Sequence, residues 1–123
     1  MEGLVKTIDN DDLTITTSSP ISETPGTNPE QLLAASLATC LNATIEVEEK
    51  RRKLSHQSVV RVVVEMLRDN EGFQFNVQAN VLIPHVSHVE AEDILEIAQR
   101  RCPVDKLLSG NNNFKVILVK QFD

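Results

Sequence analysis

Two segments in the middle of the chain alternate between apolar and polar residues. Apolar side chains fall at every second position over residues 60–66 and again over residues 73–83. Residues 69–72, Asp-Asn-Glu-Gly, provide a turn between them. Period-two alternation is typical of a sheet that packs on one face and meets water on the other. The pattern therefore predicts strands over about 58–84, joined as a hairpin.

A long apolar segment precedes these strands and predicts a buried helix. Asn28 is a good N-cap, Pro29 suits the first helical position, and Gln31 is placed to complete a capping box. Residues 32–47 are mostly Leu, Ala, Ile and Val without a break, so apolar side chains lie nearly all round the helix. We expect a central helix over about 28–52 that is covered on most sides.

The end of this predicted helix is strongly charged. It contains three glutamate–cation pairs with favourable i,i+4 order, which are Glu46–Lys50, Glu48–Arg52 and Glu49–Lys53. Cations also suit a helix C-terminus because they complement its dipole. We therefore interpret this run as a solvated helix end and not as a binding patch.

The remaining elements complete an α+β pattern. Ser87 and Glu90 form a capping box that opens a second helical region over about 87–108, which Pro103 divides into two helices. A final strand is predicted over about 114–122, and a short strand region over 1–17. The order predicts one α+β domain over 1–123, with an antiparallel sheet around a long central helix.

Composition and charge narrow the functional classes. The chain has 123 residues, with 12 basic and 18 acidic side chains and a net charge of −6. It has no Trp or Tyr, so neither a basic patch nor a stacking platform for nucleic acid is expected. No stretch reaches the roughly 18–20 apolar residues of a membrane span, and no signal peptide is evident. We expect a cytoplasmic protein without nucleic-acid or membrane partners.

The two cysteines are the main candidates for chemistry, because a static disulfide is not expected in a reducing compartment. Cys40 lies within the apolar helix, where a free cysteine is commonly a small buried hydrophobe. Cys102 follows Arg100 and Arg101 and precedes the short helix at Pro103, so dipole and cations favour its thiolate. Local sequence thus predicts Cys102 as the more acidic thiol, unless both arginines point to solvent. A redox pair and two inert core thiols both remain open.

Glu30 is a further candidate, in the first turn of the predicted helix. Its simplest role is to complement the helix dipole. Ten residues separate it from Cys40, about 15 Å along a straight helix, so Glu30 cannot contact Cys40 of its own chain. If the two cooperate, Glu30 comes from a second subunit. That possibility and the apolar surface of the helix both favour a homodimer.

A metal site or cofactor is not expected from the remaining residues. His85 and His88 lie three apart, and a metal would need further ligands from Glu90 or Glu92. Glu90 is already assigned to the capping box, and His56 has no evident partner. The chain also lacks a phosphate-binding glycine loop.

Two segments resemble the cysteine motifs of the OsmC/Ohr family, the osmotically induced protein C and organic hydroperoxide resistance proteins. Residues 27–40, TNPEQLLAASLATC, resemble the first-cysteine motif. Residues 101–108, RCPVDKLL, resemble the second and are closer to the OsmC branch. The resemblance covers roughly residues 13–122. It implies an intertwined homodimer in which two sheets wrap around paired central helices.

The resemblance also implies a thiol peroxidase that acts on organic hydroperoxides. Cys40 would be oxidised to a sulfenic acid and would then form a disulfide with Cys102. A dithiol reductant, a lipoylated protein in some members, would restore the pair. Glu30 would orient the catalytic arginine of the family. Because that remote arginine activates the first cysteine, the resemblance assigns the first attack to Cys40, against the local prediction for Cys102.

The sequence departs from the family pattern at that arginine, which belongs in the N-terminal strand region. No arginine precedes Arg51, and Lys6 is the only cation of the N-terminal segment; a lysine lacks the planar fork of a guanidinium. Arg51, Arg52 or Arg68 of a dimer could substitute. Three functions follow as hypotheses: a peroxidase for organic hydroperoxides, a weakly active dimer that senses oxidants or binds an apolar ligand, and a purely structural domain.

Overall fold

The secondary structure follows the predicted order of elements. The protein is described by a computed structural model, which covers residues 3–8, 13–18 and 25–122. Its elements are β1 (Gly3–Lys6), β2 (Thr14–Thr17), α1 (Pro29–Arg51), β3 (Val59–Arg68), β4 (Phe73–Leu82), α2 (His88–Arg101), α3 (Pro103–Leu108) and β5 (Phe114–Val119). Within the predicted strand region 1–17, residues 1–2 and 9–12 lie outside the described part of the chain. None of the helices in the described part is long and apolar enough to cross a membrane.

The strands form two sheets. β1 and β2 pair as an antiparallel ribbon, and β3, β4 and β5 form a three-stranded sheet in that order. β3 and β4 are antiparallel, as predicted, whereas β5 runs parallel to β4. The α+β class is confirmed, but the prediction of a purely antiparallel sheet missed the last strand. The reason is that α2 and α3 form a helical crossover between β4 and β5, and a crossover of this kind joins parallel strands.

Helix α1 begins at the predicted cap and packs one face on the sheet. The Asn28 side chain accepts a 2.9 Å hydrogen bond from the backbone N–H of Gln31. Leu37, Leu41 and Ile45 follow at intervals of four, share one face, and are all fully buried. They join β4 and α2 side chains in the core. Within one chain, α1 is therefore buried along a single stripe and not on most sides.

The charged end of α1 is only in part the solvated surface that the sequence suggested. Glu46, Lys50, Arg51 and Lys53 are exposed, but Glu48 and Glu49 are only 1% and 0% exposed, so that interpretation is wrong for these two carboxylates. The chain reverses immediately after α1: Lys53 has a φ of 62°, and the N–H of Leu54 donates to the carbonyl of Glu49 at 2.9 Å. This arrangement is a Schellman turn. It folds the following loop back over the last turn of the helix, where His56 and Ser58 of the loop contact the Glu49 carboxylate.

Candidate active site

The two cysteines, which lie 62 positions apart in the sequence, meet in the structure. The Cys102 Sγ lies 3.1 Å from the Cys40 Sγ, and both thiols are free. Cys40 projects from the middle of α1, and Cys102 lies between α2 and α3. Because α1 packs against both α2 and α3, the contact is a consequence of helix packing. The structure thus brings together two of the three predicted site residues.

The position of Cys102 follows from how α2 ends. Ala91, Ile94, Leu95 and Ala98 form the buried stripe of α2, and Cys102 extends it. Pro103 cannot donate a backbone hydrogen bond and so ends α2, but it suits the first position of α3. Cys102 is consequently the N-cap of α3, and its Sγ accepts a 3.5 Å hydrogen bond from the N–H of Asp105.

Burial controls the protonation of Cys102. Its side chain is fully buried, and desolvation raises the pKa of the Cys102 thiol to about 11, although the N–H of Asp105 acts in the opposite direction. Arg101 does not offset this effect, because its side chain is 59% exposed and extends to Glu48, 3.6 Å away. The prediction that nearby cations make Cys102 acidic is therefore wrong. Cys102 keeps its proton at neutral pH.

Cys40 is less enclosed than Cys102. It is partly buried at the edge of the core, and its carbonyl accepts a 2.8 Å hydrogen bond from the Thr44 hydroxyl. Its sulfur contacts the Cys102 thiol, which is its hydrogen-bond partner within residues 3–8, 13–18 and 25–122. The two cysteines of the pair thus differ in burial, with Cys40 partly buried and Cys102 fully buried.

The cations named as possible replacements for the missing arginine have other contacts within the chain. Arg51 and Arg52 both bind Glu48, at 2.6 and 2.8 Å. Glu48 stands eight residues after Cys40, about 12 Å along the helix. The guanidinium of Arg68 lies 5.4 Å from the centre of the Phe73 ring. In the described part of a single chain, these contacts do not include Cys40.

Glu30 remains apart from the sulfur pair. It is half-buried in the first turn of α1, ten residues before Cys40 in the same straight element, which corresponds to about 15 Å. The structure of one chain therefore does not bring Glu30 to the cysteines. Its functional role stays a prediction.

Glu48 forms an ionic cluster that the sequence interpretation missed. Hydrogen bonds from Arg51, and secondarily from Arg52, lower the pKa of Glu48 to about 2 despite its burial. Arg52 also contacts Asp93 of α2 at 2.6 Å, so the cluster ties the end of α1 to α2. A signal was present in the sequence, because the buried stripe that ends at Ile45 continues onto Glu48 and Glu49 at intervals of three and four.

Glu49 forms a second buried cluster with the loop that follows α1. One carboxylate oxygen lies 2.6 Å from His56 Nδ1, and the other accepts a 2.7 Å hydrogen bond from the Ser58 hydroxyl. His85 Nε2 lies 3.0 Å from that second oxygen but is not aligned for a hydrogen bond. His56 thus has a partner that the sequence did not reveal.

His85 and His88 do not form a pair. His88 Nε2 lies 2.8 Å from the Glu92 carboxylate, a solvent-exposed contact on α2. The described residues contain no group of three or more His, Cys, Asp or Glu side chains arranged to hold a metal ion. The cysteine pair has evident chemistry of its own: an oxidant that takes two electrons from these thiols could join them as a disulfide after a small approach.

Comparison with known proteins identifies a family model and related sequences for this chain. Residues 22–117 match the family model described as OsmC-like protein. The organic hydroperoxide resistance protein-like 2 of Staphylococcus epidermidis is 31% identical over 98 residues, which cover 77% of this chain and 69% of that protein.

Solved structures agree with the sequence match. An organic hydroperoxide resistance protein OsmC from Legionella pneumophila is 30% identical with a TM-score of 0.80, over 94% of this chain and 86% of that one. A protein from Lactobacillus casei is 36% identical with a TM-score of 0.84, over 100% and 92% of the two chains. The match to the family model, the related sequence and the shared fold lead to one conclusion: this chain belongs to the OsmC-like protein family.

Proposed function

We propose that the protein reduces organic hydroperoxides with Cys40 and Cys102. The observation that carries the proposal is the 3.1 Å distance between the two sulfurs. In the first step, the Cys40 thiolate attacks the distal oxygen of the peroxide; the O–O bond breaks, and an alcohol leaves after taking a proton. In the second step, Cys102 attacks the Cys40 sulfenic acid, a disulfide forms, and water leaves.

The different exposures of the two sulfurs support this order of attack. Cys40 is partly exposed and can be reached by a peroxide, whereas Cys102 is fully buried. Burial also raises the pKa of Cys102 to about 11, so its neutral thiol is a poor first nucleophile. Only the sulfenic acid formed on Cys40, already within contact distance, is a suitable electrophile for it.

A cavity between α1, the end of α3 and the sheet offers apolar side chains to an organic peroxide, with Asn111 and Asn113 also in its lining. Leu33, Phe75, Leu108 and Phe114 contribute to a cavity of about 210 Å³. Leu33 lies two turns before Cys40 on the same face of α1, and Leu108 ends the helix that Cys102 caps. Burial of an alkyl chain there would favour alkyl or acyl hydroperoxides over hydrogen peroxide.

The proposal includes a homodimer and an external reductant. Val47 of α1 is 61% exposed, on a helix that carries apolar residues on several sides, and a second subunit would cover it. The partner would also supply Glu30, which cannot reach Cys40 of its own chain. Each turnover ends in a disulfide, so a dithiol, such as a lipoylated protein, must reduce it by exchange.

The test is stopped-flow turnover of cumene hydroperoxide with dihydrolipoamide as the dithiol. We expect turnover in the wild type and none in Cys40→Ser. Cys102→Ser is the matched control: without the dithiol it should still consume one equivalent of peroxide and stop at the sulfenic acid. Hydrogen peroxide should react more slowly than cumene hydroperoxide. Equal turnover in Cys40→Ser and the wild type would refute the proposal.

A second candidate function is a slow oxidant sensor with the same fold and cysteines. It is favoured by the contacts of Arg51 and Arg52, which bind Glu48 and not Cys40 in the described part of the chain, because loss of a catalytic donor costs about 100- to 1000-fold in rate. A sensor would form the Cys40–Cys102 disulfide stoichiometrically but would not turn over with excess dithiol. Single-turnover and steady-state rates measured on one preparation separate the two functions.

A further inference from the structure

The contact between the two thiols has a direction. The Cys102 Sγ already accepts a hydrogen bond from the N–H of Asp105, at 3.5 Å, as the N-cap of α3. With that side of the sulfur occupied, its own S–H is left to point across the 3.1 Å gap to Cys40. In this arrangement Cys102 is the donor and Cys40 is the acceptor.

We propose that Cys102 has a role before it forms the disulfide: in the reduced protein, its thiol donates a hydrogen bond that stabilises the thiolate of Cys40. This inference rests on the proposed function, since it concerns the first step of that reaction. It assigns two successive roles to one side chain. Cys102 is first a donor to the attacking sulfur and then the nucleophile that resolves the sulfenic acid.

Burial makes Cys102 suitable for the first role. A thiol donates a hydrogen bond only while it is protonated, and desolvation raises the pKa of Cys102 to about 11. A neighbouring thiolate on Cys40 adds to that effect, because two anionic sulfurs at 3.1 Å would repel each other. Where one sulfur of the pair is ionised, the buried Cys102 is therefore the one that keeps its proton.

Within the described part of the chain, the arginines considered as donors to Cys40 are engaged elsewhere. No arginine precedes Arg51 in the sequence, and Arg51 and Arg52 are bound to Glu48 about two helical turns away. Within the described part of the chain, the Cys102 thiol is the group that donates a hydrogen bond to the Cys40 sulfur. A hydrogen bond to a charged acceptor is stronger than one between neutral groups.

The proton of Cys102 has a defined fate in the reaction. It remains on Cys102 while Cys40 attacks the peroxide, since the alcohol takes its proton from solvent. In the second step, Cys102 loses this proton as the S–S bond forms, and the sulfenic hydroxyl leaves with it as water. The S–H of Cys102 therefore points to the Cys40 sulfur, which later carries the hydroxyl that this proton converts to water.

Gln99 and Asp105 position this donor. The Gln99 side chain donates a 3.2 Å hydrogen bond to the Asp105 carboxylate, which is only 5% exposed. This contact fixes the first turn of α3 against the end of α2, and the Asp105 N–H in turn fixes the Cys102 sulfur. They are positioning residues, because Gln99 contacts Asp105 and Asp105 contacts Cys102, so both act on Cys40 only through Cys102.

The test uses three substitutions of Cys102 that separate donation from packing. Cys102→Ser keeps a donor but cannot form the disulfide, Cys102→Ala removes the donor and leaves a gap, and Cys102→Val removes the donor while it fills the site. The readout is the rate of Cys40 alkylation by iodoacetamide as a function of pH, measured by mass spectrometry of the Cys40 peptide. Sulfenic acid formation, trapped with dimedone, gives the first-step rate.

We expect Cys102→Ala and Cys102→Val to alkylate about tenfold more slowly than Cys102→Ser at pH 7, with profiles displaced to higher pH. Equal rates in all three variants would overturn the inference, as would a rate in Cys102→Ser as low as in Cys102→Ala. Alkylation needs no peroxide. If the protein reduced no hydroperoxide but the variants still separated, the proposed function would fail while the donor role stood.

Discussion

Replacement of Glu48 by Gln tests the buried ionic cluster at the end of α1. Glu48 is 1% exposed and receives hydrogen bonds from Arg51 and Arg52 at 2.6 and 2.8 Å. A glutamine of nearly equal size removes the charge and replaces one acceptor oxygen with a donor that faces a guanidinium. We expect this substitution to destabilise the fold.

The magnitude follows from the pKa of Glu48. Hydrogen bonding with Arg51 is the main reason that it falls from an ordinary value of 4.5 to about 2. One pKa unit corresponds to about 1.4 kcal/mol, so the upper limit is about 3 kcal/mol. Because the Arg51 side chain is 61% exposed, solvent screening reduces this figure. We expect a loss of about 1–2 kcal/mol at pH 7.

The pH dependence has a definite sign. The folded protein holds the Glu48 carboxylate with a lowered pKa, so its contribution is fully present above pH 4.5 and is lost as the pH falls toward 2. The difference in stability between the wild type and Glu48→Gln should therefore be constant from pH 7 to about pH 5 and less than half as large at pH 3.

Urea unfolding followed by circular dichroism, at pH 7, 5, 4 and 3, provides the measurement. Glu46→Gln is the matched control, because Glu46 is an exposed glutamate of the same helix. The control should change stability by less than about 0.5 kcal/mol at pH 7. A difference for Glu48→Gln that stays constant down to pH 3 would contradict this reasoning.

Three further predictions concern the sulfur pair and the other buried carboxylates. Formation of a Cys40–Cys102 disulfide closes a loop of 62 residues, so the free energy of unfolding in urea should be about 4 kcal/mol higher for the oxidised form than for the reduced form. A Cys40→Ser variant should show no such gain after oxidation. Glu49→Gln should lower the free energy of unfolding in urea by about 1–3 kcal/mol, because it disturbs contacts with both His56 and Ser58. An unchanged free energy of unfolding would show that these contacts do not stabilise the fold. Burial raises the pKa of Asp105, so the ionised carboxylate lowers the stability of the fold at pH 7, and this loss disappears as the pH falls below 3.8. Asp105→Asn should therefore raise the urea midpoint more at pH 7 than at pH 3. An equal change at both pH values would contradict the predicted pH dependence.

The sequence predicted elements well where a local pattern determines them. Three of its signals act within a few residues: the cap at Asn28, the alternation of β4 and the break at Pro103. The structure begins α1 directly after Asn28, has a strand over the alternating residues, and begins α3 at Pro103. The parallel pairing of β5 was missed because residues 114–119 carry the same alternation in either direction. Strand direction depends on the crossover that precedes it, which local periodicity does not encode.

The errors at the charged positions have a common cause. Each concerns a side chain whose surroundings come from a distant part of the chain. Glu49 looked solvated because Lys53 stands four residues later, yet its contacts are with His56, Ser58 and His85. The Schellman turn at Lys53 redirects the chain and replaces the expected neighbour. Local charge pairing therefore predicts a surface only when the helix end itself is open to water.

Cys102 shows the same principle at the reactive pair. Two arginines and a helix N-terminus, considered locally, make its thiolate favourable, but the fold buries its sulfur completely and turns Arg101 toward Glu48. Desolvation then exceeds the effect of the dipole, and the pKa of Cys102 rises. The same burial that makes Cys102 a poor first nucleophile keeps it protonated at 3.1 Å from Cys40. Two chemically identical side chains thus acquire different environments from their depth in the protein, a difference that depends on the packing of α1 against α2 and α3.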